Sequence, residues 1–287
     1  MSRTSSCAGL AAAALTTLAL ARAAHAQSAD GYSAGPGLGA DGGGGEPGAP
    51  SPAYTQDRTF GATRFWKLDK GAMEAEVWWR IRDPRHDDAY NILQLEFEVG
   101  ITDRIQLDVY ENLTDEGGSW TREGSQIEAR IAVDPVYGRT PGNPVVYLEW
   151  HPLHLGPTRA EGRLLLGDAL YGAKLFGAAN LFYEQNVTRS GDGMGGTVWV
   201  PNPEAGITAA ASYEVIDRQR LRVGAELKFA LEKELFDDPA WERQLLIGPN
   251  VATRLSGERL KLFATALFGV TDDAKRVDAY VIVASAL

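Results

Sequence analysis

The stretch Leu93-Gln94-Leu95-Glu96-Phe97-Glu98-Val99-Gly100-Ile101 alternates hydrocarbon with amide, carboxylate or glycine at every step. A pleated strand sends successive side chains to opposite faces, so this segment shows hydrocarbon on one side and polar groups on the other. The same period recurs from about Val77 to Leu287. It marks strands at residues 72–82, 91–101, 104–113, 124–134, 144–151, 160–168, 174–187, 204–215, 219–231, 243–254, 260–270 and 277–287. Each spans about 8 to 14 residues, near the 9–11 that a tilted strand needs to cross a bilayer and longer than the 5–6 usual in globular sheets. The pattern predicts an all-β fold, an antiparallel transmembrane β-barrel of about 12 strands, an even number as single-chain bacterial barrels have.

The preceding residues read differently. Arg3, an apolar run from about Ala8 to Leu20 and the small-residue exit Ala24-His25-Ala26 predict a secretory signal over residues 1–26, cleaved after Ala26. The apolar run is shorter than the roughly 20 residues of a spanning helix, and no other stretch approaches that length. The chain's one cysteine, Cys7, lies in this segment, so no disulfide framework is expected behind it. Residues 27–56, rich in Gly, Pro and Ser with glycine from Gly42 to Gly45, predict a disordered N-terminal leader, leaving 57–287 for the barrel. Around residues 60–70, Phe65, Trp66 and Leu68 fit either a short extra strand or an interfacial clip.

Acidic residues outnumber basic ones, 38 to 28, and without Arg3 and Arg22 the balance is 26 against 38, a formal charge of −12. Such a surface repels nucleic acid. A mean hydropathy of −0.21 suits a barrel whose inward residues are polar.

The connections sort by parity. Those after odd-numbered strands are acidic or Gly-rich and predicted to be long outer loops, the extreme being 188–202. Thr102-Asp103-Arg104, Ile216-Asp217-Arg218 and Gly257-Glu258-Arg259 read as tight periplasmic turns, with longer connections at 137–143 and 170–172. Trp79, Trp150, Tyr183, Phe229 and Phe268 share the apolar parity near the upper strand ends and predict an aromatic girdle, with Tyr213 in a thinner lower one.

Lys70-Gly71-Ala72-Met73-Glu74-Ala75-Glu76, followed by Glu98-Val99-Gly100-Ile101-Thr102-Asp103-Arg104, resembles the opening of a group of Gram-negative outer-membrane β-barrel proteins. The segment is also similar to barrels labelled phenol-degradation-type transporters, in which a Gly-Leu-Thr-Asp-Arg-like turn joins early strands. The resemblance implies an outer-membrane barrel and no particular substrate. Such barrels usually end on an aromatic residue, whereas this chain ends Val283-Ala284-Ser285-Ala286-Leu287.

If the apolar set faces lipid, the lumen receives Glu74, Glu76, Arg80, Arg82, Glu96, Glu98, Asp108, Glu128, Arg130, Glu149, Arg163, Arg222, Glu226, Lys228, Arg254 and Lys261. These charges read either as a selectivity lining or as paired struts that keep a polar interior free of uncompensated charge. Twelve strands lie between the eight whose interior side chains fill and the sixteen that leave a water channel, so the lumen is expected to be narrow or blocked.

The acidic pairs Asp87/Asp88, Asp115/Glu116, Asp237/Asp238 and Asp272/Asp273 lack the ordered spacing of a calcium loop and read as solvated. His151 and His154 stand at a rim where a hydrolase could place a histidine, without a serine at nucleophile spacing. The glycines of 191–196 lack the lysine of a phosphate loop, and Asn112 and Asn186 match a glycan pattern of little weight in a bacterial chain.

The expectation is a passive outer-membrane channel or transporter for small solutes, without cofactor. Its surroundings would be outer-membrane lipid, lipopolysaccharide and the barrel-assembly machinery. The alternatives are a blocked barrel serving as anchor or surface-interaction module, an outer-membrane hydrolase, and a secreted soluble β-protein.

Overall fold

A computed structural model describes residues 58–152, 158–170, 174–191, 197–216, 221–233, 240–255 and 260–287. The predicted signal and leader, His154, Asp237 and Asp238, and most of the second and third tight turns lie outside the described residues. Twelve antiparallel strands form a closed barrel: β1 Met73–Asp83, β2 Tyr90–Gly100, β3 Ile105–Glu116, β4 Ser119–Ala132, β5 Val145–His151 and β6 Thr158–Leu170 make the first half. The second half is β7 Leu175–Gly191, β8 Thr197–Ile216, β9 Leu221–Lys233, β10 Trp241–Leu255, β11 Leu260–Gly269 and β12 Val277–Ala286. Each strand pairs with its sequence neighbours, and β1 closes on β12 through a register running from Glu74↔Ala286 to Asp83↔Val277. Leu287 N–H donates to Met73 O at 3.0 Å, finishing the seam. Closure gives every strand a partner on both sides, the condition for a sheet to stand in hydrocarbon.

The alternation sets the walls as predicted. On β1, Val77, Trp79 and Ile81 are exposed outward while Glu74, Glu76 and Trp78 are buried inward. Leu95 and Phe97 on β2, Leu107 and Val109 on β3, and Leu148 and Trp150 on β5 continue an outer apolar surface far larger than single scattered residues would make. Trp79, Trp150, Tyr183 and Phe268 are about half exposed on this surface, and Trp120 and Trp241, absent from the predicted girdle, join them.

Two predicted long loops are strand instead. The connection after β3 shrinks to Gly117 and Gly118, whose φ of 66° and 86° fit a tight hairpin that side-chain-bearing residues rarely enter. Within 188–202, β7 continues to Gly191 and β8 begins at Thr197, so the hairpin extends past the neighbouring strands. Pro201 and Pro203 donate no ladder hydrogen bond, yet β8 accommodates both.

Residues 58–69 form neither an extra strand nor an interfacial clip: they run as irregular chain inside the barrel. Gly71, at φ 80°, turns the chain out of the lumen into β1, and its N–H donates to Gly100 O at 2.7 Å.

Candidate functional site

The internal segment fills the half of the lumen nearest Met73 and Leu287. Its bend at residues 61–63 points three successive N–H groups at one carboxylate: Gly61, Ala62 and Thr63 donate to Glu226 at 2.8, 2.9 and 2.9 Å. Consecutive amides converging in this way make an anion-binding nest. Thr265 also donates its hydroxyl to Glu226. Arg64 N–H donates to Asn180 Oδ1 at 2.7 Å, Asn180 Nδ2 returns a bond to Arg64 O at 2.8 Å, and Leu68 N–H donates to Gln106 Oε1 at 2.5 Å. The barrel wall thus satisfies backbone groups of a buried irregular segment that has no ladder of its own.

Apolar contacts seat the rest. Phe65 packs edge-on to Phe176 with centroids 4.7 Å apart, and Trp66 packs edge-on to Tyr137 at 5.3 Å, within the range of favourable aromatic pairs. Trp66 holds a positive φ of 51°, a conformation that costs a bulky side chain on the order of 1–3 kcal/mol and persists only where surrounding packing imposes it. Phe60, Phe65 and Trp66 form one buried cluster with Val145, Tyr147, Leu165 and Phe176 of the wall.

Charge holds the opposite side. Arg58 meets Glu76, Glu96 and Glu98 at 2.9, 3.5 and 3.7 Å, with its guanidinium 3.9 Å from the Trp78 ring centre. Arg64 lies 3.6 Å from Glu128 and 3.9 Å from Glu96. Arg130, on the wall, meets Glu128, Asp108 and Glu98 at 2.6, 3.3 and 3.3 Å. Among the described residues, Glu76/Glu96/Glu98 and Glu96/Asp108/Glu128 bring carboxylates close enough to share a cation, and these three guanidiniums stand among them. Lys67, beside the mouth, is held below its usual pKa by burial, which Asp69 and Asp103 partly offset.

Above the segment the lumen opens into a vestibule of about 470 Å³, in the size range of small-ligand pockets. Gly61, Ala62 and Arg64 line it from below. Arg80, Arg82, Glu149, Arg163 and Lys228 line its walls, with Arg80 paired to Asp278 and Lys228 to Glu204 at 2.8 Å. Arg163 pairs with Glu161 at 2.6 Å and Arg159 with Glu149 at 2.7 Å. His151 also lines the vestibule, at the end of β5 opposite Arg159 in register.

The remaining lumen candidates lie below this level. Glu74 and Lys261 bond across the β1–β12–β11 seam, buried Arg222 donates to Ser212 Oγ at 3.1 Å, and Arg254 stands opposite Lys261 on β10. Sequence reasoning missed Arg58, Arg64, Glu161, Glu204 and Lys275. Parity with Arg163 pointed to Glu161; Lys275 sits in the β11–β12 connection, where no periodicity operates.

A scan against known protein families finds no match, and a search among curated proteins finds none. Solved structures are similar in fold. An outer membrane channel from Pseudomonas putida F1 superposes with a TM-score of 0.50 at 10% identity, covering 77% of this chain and 97% of that one. The NanC porin gives 0.48 at 12% identity over 75% and 98% of the two chains. The beta domain of the Bordetella autotransporter BrkA gives 0.47 at 13% over 76% and 100%. The chain therefore has the fold of an outer-membrane β-barrel.

Proposed function

We propose that the chain is an outer-membrane channel for small hydrophilic solutes in which residues 58–69 act as a stopper. The observation that carries this reading is the construction of the lumen: a polar, water-accessible vestibule ends on a segment held to the wall by hydrogen bonds, ion pairs and ring packing. Noncovalent attachment of this kind can be released, and the positive φ at Trp66 gives release a favourable term. That one structural relative is an outer membrane channel agrees with this reading. The apolar outer wall would stand in the bilayer, with the vestibule opening on the lipopolysaccharide side. Conduction would then wait on movement of the stopper, in place of simple diffusion past outer loops.

The stopper also favours a second reading, a permanently closed barrel that presents its vestibule and long β7–β8 hairpin as an interaction surface. Planar-bilayer recording of the full chain and its Glu226→Ala variant separates the two. Rare, brief steps in the parent and a larger open fraction in the variant support the channel. Silence in both, with heat-modifiable gel migration showing folded barrels, overturns it in favour of the closed barrel.

A further inference from the structure

We propose that the vestibule holds a binding site for a small hydrophilic oxyanion, a carboxylate or a phosphate, between Arg82 of β1 and Lys275 of the β11–β12 connection. The site deepens the channel reading and rests on it only for its biological use, since binding is measurable whether or not the stopper moves.

Both side chains line the cavity. Arg82 donates to Tyr90 Oη at 3.3 Å and Lys275 to Gln244 Oε1 at 3.4 Å, and among the described residues neither has a carboxylate oxygen within 4 Å. Arg82 Nε is buried without a partner. The nearby acids are already engaged: Asp278 by Arg80, Glu204 by Lys228, and Glu232 as acceptor from Gln244 Nε2 at 2.7 Å. Arg82 and Lys275 are thus the cations left without an ion pair, against one carboxylate, Glu232, that only a neutral amide engages, so a net positive charge remains in a cavity wide enough for a ligand.

Arg276 N–H donates to Asp83 O at 2.8 Å, which ties the chain neighbours of Lys275 and Arg82 together and holds the two cations where they repel each other. Burial first, then Arg82 and Lys228, push the Lys275 ammonium down to about 8, against the pull of Asp278 and Glu204. An oxyanion between the two cations would replace repulsion with charge-assisted hydrogen bonds, and a guanidinium beside an ammonium is a suitable donor set for carboxylate or phosphate oxygens. Glu149, Glu161 and Gln126 on the opposite wall offer acceptors for hydroxyl groups and disfavour an apolar ligand body, which would strip them of water.

The test is isothermal calorimetry on the folded full-length barrel in detergent at fixed ionic strength, titrated separately with inorganic phosphate and with succinate. Saturable binding of at least one probe is expected, weakened about tenfold or more in Arg82→Gln and in Lys275→Gln. Arg276→Gln, which removes an exposed pair with Asp83 outside the cavity lining, should bind as the parent does. Raising the pH from about 7 to about 9.5 should weaken binding as Lys275 loses its proton, and Lys275→Arg should abolish that loss. Which probe saturates distinguishes carboxylate from phosphate. Absence of saturation with both probes, or unchanged affinity in both Gln variants with parent-like heat-modifiable migration, overturns the site. Bilayer steps in such a non-binding barrel would leave the channel reading intact.

Discussion

The ring of Phe65 occupies the space where Gly167 has no side chain: a Cβ added at that glycine would lie 2.3 Å from two ring carbons. The stopper is therefore seated against bare backbone of β6, and the lock depends on what position 167 lacks. Gly167→Val should push the ring out of its seat and raise the open fraction in bilayer recordings. Phe65→Ala in the parent should lower barrel stability by about 3–5 kcal/mol in a denaturant titration, and by clearly less in the Gly167→Val background, where the contact is already lost. Equal losses in both backgrounds would show that the contact does not anchor the segment.

Glu226→Ala removes the shared acceptor of Gly61, Ala62 and Thr63 amides. Buried donors left without partners cost about 1–3 kcal/mol each, and water reaching from the vestibule would recover part of that. Faster hydrogen exchange should appear at residues 61–63 while the β1–β12 seam keeps its protection. Uniform acceleration throughout the barrel would instead mean that Glu226 supports the wall itself.

Leu95 is exposed on the outer wall and its neighbour Gln94 lines the vestibule. Leu95→Arg should destabilise the barrel in bilayers by about 2–4 kcal/mol if it meets the hydrocarbon midplane. Gln94→Arg should be mild, because its charge enters water. Equal tolerance would contradict the assignment of faces.

Lys275 gives a pH dependence whose sign follows from burial. Its value in the folded barrel, about 8, lies below the ordinary 10.5, so below pH 8 the folded state carries a charged ammonium that the unfolded chain hydrates better. As pH rises from 8 towards 10.5 the folded barrel releases this proton first, the unfolded state binds more protons, and stability increases. The contribution is on the order of 3 kcal/mol at most, and Lys275→Gln should flatten the rise in urea titrations across that window.

The barrel wall was legible because one physical requirement acts at every position of a strand. Hydrocarbon outside and polar groups inside imprint a period of two, and β1, β2 and β12 begin and end within a residue of where the alternation does. The stopper imposes no such period. Phe65 and Trp66 are apolar yet sit inside, in one cluster with Leu165 and Phe176, and Leu68 is buried as well, because the lower lumen is a packed core and the vestibule is the polar part. A reading that named only charged residues for the lumen had no place for Phe60 or Tyr147. Gly117-Gly118 did carry a recognisable hairpin signal, but the acids Asp115 and Glu116 before it resembled a loop. The pairing of Arg58 and Arg64 with the wall arises from contacts between segments distant in the chain, which no local spacing records.

The guanidiniums of Arg58 and Arg64 lie among Glu76, Glu96, Glu98, Asp108 and Glu128, with Arg130 contributed by the wall. Withdrawing the segment would carry off two of these three counterions and leave a bare electronegative bore. Mobile cations would have to flow in to screen it, so dissolved salt would decide how long the bore stays vacant: dilute media would draw the arginines home quickly, and brine would let the passage linger unobstructed.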